Sequence, residues 1–194
     1  MAVGDPARLL RRGLGLEFAT LGWNVVGIVV LGWAAILARS VALAGFGIDS
    51  LIEIGASTVV VWELRGKSKE REHRALRLIG IAFVLLALYL AVQSSLALAI
   101  GHRARHSPAG IVWTALTAGT MFALAFGKAR TGVALDNPVL CTEGRVTFVD
   151  GLLACAVLAG LALNAAAGIW WADPAAGYVL VYYATKEAAG ILGR

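Results

Sequence analysis

Long apolar runs separated by short polar and basic stretches fill the chain from Phe18 almost to its last residue. Runs of about 20 apolar residues match the thickness of a bilayer core crossed by a helix rising about 1.5 Å per residue. This pattern predicts six spanning helices at about 18–38, 40–62, 78–101, 108–127, 138–168 and 170–191, preceded by a basic leader over 1–16. The first run is too long for the roughly 7 to 15 apolar residues of a signal-peptide core, so it is read as a span. Asn137 followed by Pro138 predicts a helix start with proline in the first turn. Trp170 and Trp171 suit a membrane interface, with Asp173 before Pro174 as a helix cap.

The polar positions inside the runs carry the candidate chemistry. Asp49 and Glu53 fall on either side of Leu51, the middle of the second run. A spacing of four residues on a helix puts both carboxyls on one face, about one turn apart. Ionisable groups at that depth are costly and mark functional sites facing the bundle interior, and a shared cation is the simplest way to hold two of them. In the fifth run Glu143, Val146, Asp150 and Ala154 share one stripe. The segments IDSLIE (48–53) and VDGLLA (149–154) align Asp49 with Asp150, which suggests that the second and fifth helices are related elements facing a common site. Asn24 lies in the first run, where it could bond to a neighbouring helix or help to bind an ion.

Composition agrees with a membrane protein. The chain is 59% hydrophobic and 15% charged with mean hydropathy +0.78, whereas about a quarter of the residues of a soluble domain are charged. The net charge of +5 sits in short clusters between runs, so topology explains it and no nucleic-acid partner is expected. All Lys and Arg except Arg39, Arg103 and Arg105 fall on one side of the six-span arrangement, which places both termini in the cytoplasm, the plasma (inner) membrane being the expected location. Cys141 and Cys155 lack metal or redox spacing and are read as free thiols. His102 and His106 are read as a solvated loop, and Glu70, Glu72 and His73 as part of a solvated basic segment facing anionic lipid. The absence of an HExxH motif, a nucleophile–base pair or an aspartate-rich diphosphate motif argues against an intramembrane enzyme.

Three stretches, SVALAGFGIDSLIEIGAS, TEGRVTFVDGLLA and WWADPAAGYVLVYY, resemble the cation diffusion facilitators, whose members export divalent metals such as zinc in exchange for protons. The resemblance covers the membrane domain and implies an all-α fold, a six-helix transmembrane bundle of that family's type. It implies that Asp49, Glu53 and Asp150 are metal ligands, while Val146 stands where the family usually has histidine or aspartate. It further implies a homodimer. With the chain stopping at Arg194, no cytoplasmic C-terminal domain of the family's kind is expected.

Three carboxylates form a hard oxygen site suited to manganese or iron(II), and zinc also accepts carboxylate oxygen. The transported species expected are a divalent cation and protons, with no organic cofactor and the lipid bilayer as environment. Glu143, about 10 Å before Asp150 along the helix, is expected at the cytoplasmic mouth, with a reach toward the Val146 position as the other possibility. The competing function is a nontransporting relative of the family that binds a metal or a partner.

Overall fold

A computed structural model describes residues 6–38, 41–65, 69–101 and 107–193. These residues form six α-helices: α1 (Pro6–Ala38), α2 (Val41–Leu64), α3 (Lys69–Ile100), α4 (Pro108–Leu135), α5 (Pro138–Ala167) and α6 (Ala172–Leu192). Each matches one predicted run, but several are longer. The helix α1 takes in most of the basic leader, and α3 begins inside the basic segment, where Glu70 pairs with Arg74 one turn on. Extension of α4 to Leu135 brings Lys128 and Arg130 into the helix, whereas the sequence pattern puts them after the span. The His102–His106 segment lies outside the described residues.

The α4–α5 turn forms for local reasons. Asp136 adopts the left-handed conformation (φ 51°, ψ 43°) and caps α4, its backbone N–H bonding back to that helix. Asn137 then caps α5, its side chain accepting a 2.7 Å hydrogen bond from the Leu140 N–H, with Pro138 in the first turn as predicted. By contrast, the N-cap of α6 is Trp171, and Asp173 falls inside the helix instead of capping it.

The helices close a ring in the order α1, α2, α3, α6, α5, α4, with α2 and α5 also meeting across its centre. Large apolar side chains such as Val29, Trp33, Ile36, Leu88 and Val133 point outward. The buried stripe of α1 contains Gly13, Glu17, Thr20, Asn24 and Gly27. An apolar exterior around a small and polar interior is the arrangement that lipid permits, because water is not the solvent to be avoided. Four helices, namely α1, α4, α5 and the Glu72–Ile100 part of α3, are long and apolar enough to cross a membrane. The chain is thus an integral membrane protein.

One half of the ring interior is apolar, with Ile79, Phe83 and Leu86 of α3 meeting Val149 and Leu153 of α5 and Ala184 and Ala188 of α6. The other half, between α1, α2, α4 and α5, carries buried charge. Trp23 of α1 ties that half together by stacking on Trp113 of α4 at 4.9 Å and donating its Nε1–H to Thr117 Oγ1.

Candidate functional site: a buried carboxyl cluster between α2 and α5

Stripes of 3.6-residue periodicity dictate what faces the interior. On α2, Asp49, Glu53 and Ser57 recur every four residues, and all are buried. On α5 the same role falls to Glu143, Thr147 and Asp150, and on α1 to Glu17, Thr20 and Asn24. Ser57 meets Glu143, and Asp49 and Glu53 meet Asp150, so α2 and α5 run antiparallel past each other here.

The three carboxyls singled out by the sequence are thereby brought together. Asp49 is within side-chain hydrogen-bonding reach of Asp150, and Asp150 within that of Glu53. Asn24 donates from Nδ2 to Glu53 Oε2 at 3.0 Å and also to the Thr20 carbonyl oxygen at 3.0 Å. It therefore orients Glu53 from the neighbouring helix. Glu53 Oε1 and Asp150 Oδ2 receive no hydrogen bond although both are buried. Two carboxyls hydrogen-bond to each other only by sharing a proton, so this cluster needs protons or a cation to exist in an apolar bundle. Among the described residues no group of three or more His, Cys, Asp or Glu is placed so that it could hold a metal ion.

The fourth position behaves differently. Val146 is buried in the hydrophobic core, and Cys141 and Cys155 are free and lie off the stripe. Glu143 does not line a mouth. It is fully buried, Oε1 accepting hydrogen bonds from Ser57 Oγ at 3.0 Å and from Lys128 Nζ at 3.2 Å. The nearby Arg145 faces the other way and pairs with Glu187 of α6 at 3.1 Å.

Lys128 and Glu17 were not legible as site residues. Lys128 is fully buried and its ammonium meets Glu17 Oε2 at 3.1 Å, Glu143 Oε1 at 3.2 Å and Thr147 Oγ1 at 3.0 Å. Glu53 interacts electrostatically with both Lys128 and Glu143, so the two clusters form one polar column. From Asp49 to Ser57 that column runs about 12 Å along α2. The signal in the sequence was the three-and-four spacing of Glu17, Thr20 and Asn24, which continues the buried stripe of α1 into what reads as its leader.

No family model matches the chain, and no curated protein matches it.

Proposed function

We propose that this protein is a divalent-cation transporter that moves zinc, manganese or a similar transition metal out of the cytoplasm in exchange for protons. The observation that carries the reading is the convergence of Asp49, Glu53 and Asp150 from two helices on one buried place. Structural ion pairs would explain carboxyls matched by cations. In this polar column, among the described residues, five buried carboxyls, Glu17, Asp49, Glu53, Glu143 and Asp150, share one buried ammonium, Lys128. Mobile cations or protons must supply the rest of the charge.

In this reading all six helices span the membrane in a bundle like that of the cation diffusion facilitators. Both termini lie in the cytoplasm, and the protein works in the plasma membrane as a homodimer. The protonated cluster has little net charge. A divalent cation arriving from the cytoplasm displaces the protons, drawing Asp49, Glu53 and Asp150 around itself with water completing its shell. Rocking of α2 and α5 against their neighbours exposes the loaded cluster to the far side, where protons replace the metal.

Purified protein in liposomes with an imposed pH gradient tests the proposal. Flux of zinc, manganese, iron(II), cobalt or cadmium should follow the gradient and fall to the empty-liposome level for Asp49→Asn. Flux indifferent to the gradient would sink the proton coupling, and no flux of any of these metals would sink transport. Metal binding without flux would instead select the nontransporting relative, the reading that the apolar Val146 position favours.

A further inference from the structure

The polar column has a second end that the cluster of Asp49, Glu53 and Asp150 does not use. There Lys128 reaches from α4 into a pocket of oxygen atoms supplied by α1 and α5. Glu17 Oε2 of α1 lies at 3.1 Å, Glu143 Oε1 of α5 at 3.2 Å and Thr147 Oγ1 of α5 at 3.0 Å from Nζ. Ser57 of α2 holds Glu143 from its far side at 3.0 Å. None of the side chains of Glu17, Lys128 and Glu143 has any exposed surface.

Two features distinguish this arrangement from an ion pair that only ties helices together. It has one carboxylate more than its ammonium can neutralise. It also has buried oxygens left without a hydrogen bond: Glu143 Oε2 and Glu17 Oε1 accept none, and Glu17 Oε2 meets the ammonium as an ion pair. Two carboxylates with the hydroxyls of Ser57 and Thr147 form a set of hard donors, the chemistry preferred by manganese, magnesium or calcium.

We propose that Glu17, Glu143, Ser57 and Thr147 form a second cation position, which the tethered ammonium of Lys128 fills in the resting protein. Lys128 is then a built-in competitor at that end of the column. A metal moving between the Glu17 end and Asp49, Glu53 and Asp150 meets its positive charge and passes only when the ammonium leaves its oxygens. The inference rests on the reading of those three carboxyls as the primary metal site, and it predicts how many ions the column holds with and without Lys128.

The test counts manganese(II) bound to detergent-purified protein, by elemental analysis and by electron paramagnetic resonance. Wild type should bind one equivalent, Lys128→Ala two, and the triple variant Lys128→Ala/Glu17→Gln/Glu143→Gln one. A Lys128→Ala protein that is monodisperse yet binds a single equivalent overturns the proposal. If Lys128→Ala is recovered folded only when purified with manganese, the cation has replaced the ammonium and the proposal stands. If the triple variant folds while Lys128→Ala cannot be recovered folded whichever divalent cation is present, the proposal is overturned. Failure of the primary site looks different: wild type would bind none, while Lys128→Ala would still gain one equivalent dependent on Glu17 and Glu143.

Discussion

Asn24 on α1 donates a 3.0 Å hydrogen bond to Glu53 on α2, and both side chains are buried. The same amide nitrogen is held by the Thr20 carbonyl one turn back, so the donor cannot turn away without losing two acceptors. Asn24 is therefore a positioning residue for a carboxylate of the proposed metal site. Its replacement by alanine should cost about 1–2 kcal/mol of stability, the range for a buried hydrogen bond between membrane helices or to a charged acceptor. Partners that orient a metal ligand typically contribute tenfold or more to affinity, so manganese binding should weaken by about 10- to 100-fold. Asn24→Asp should destabilise the metal-free fold further by adding a carboxyl beside Glu53. Thermal unfolding and titration calorimetry on the two variants check the two effects in turn, and unchanged affinity in Asn24→Ala would remove the positioning role.

Asn137 does two things at the α4–α5 turn. Its Oδ1 caps α5 by accepting from the Leu140 N–H, and its Nδ2 donates to Glu63 Oε2 at 3.1 Å at the end of α2. Asn137→Ala removes both and should cost about 1–2 kcal/mol, of which the cap alone supplies about 1 kcal/mol. Asn137→Ser keeps the cap and loses the link to Glu63, so it should lie between the two. Thermal unfolding followed by tryptophan fluorescence ranks the three proteins. A serine variant as unstable as the alanine one would show that the link to α2, not the cap, matters.

The helices were legible because lipid leaves so few options: an uncharged apolar run of spanning length becomes a helix, and each predicted run does. The convergence of Asp49, Glu53 and Asp150 was legible for a related reason, since charge at mid-run has to face inward and a spacing of four fixes the face. Lys128 was not, because a basic residue at the end of an apolar run serves topology equally well. Only the fold shows that α4 continues past it and turns it toward Glu17 and Glu143. Glu143 was misplaced for the same reason. Its stripe was read correctly, but burial depends on α1, α2 and α4 closing over it, and no pattern within α5 contains that information.

Close approach of α4 to α5 depends on Gly132. A Cβ at that position would stand 2.7 Å from Cys141 Sγ and 2.8 Å from the Cys141 backbone nitrogen. The sulfur could rotate away, whereas the backbone could not, so Gly132→Ala must push the two helices apart. Such overpacking costs about 1–3 kcal/mol. Gly119, on the same helix, has nothing within 4 Å of its added Cβ, so Gly119→Ala should be neutral or stabilise by up to about 1 kcal/mol through helix propensity. Melting temperatures of the two variants test the argument against each other. Equal destabilisation of both would mean that glycine on α4 serves something other than packing on α5.

The primary cluster should trade stability for function. Asp49, Glu53 and Asp150 share a buried space only by taking up protons, because at an effective dielectric of about 20 each close repulsion between charged carboxylates would amount to a few kcal/mol. Replacing one member by its amide keeps the shape and removes the cost of holding that carboxyl protonated or charged in a buried space. Asp150→Asn should therefore raise metal-free stability by about 1–3 kcal/mol while lowering metal flux to background. Metal addition separates this from simple stabilisation. Wild type should gain about 2.7 kcal/mol at a metal concentration one hundred times its dissociation constant, a gain that follows from binding to the folded state alone. The amide variant should gain little at the same concentration. Thermal unfolding of both proteins with and without manganese reads the four values. An Asp150→Asn protein less stable than wild type without metal would mark the carboxyl as structural glue, because only a side chain whose charge supports the fold is missed when its shape is kept.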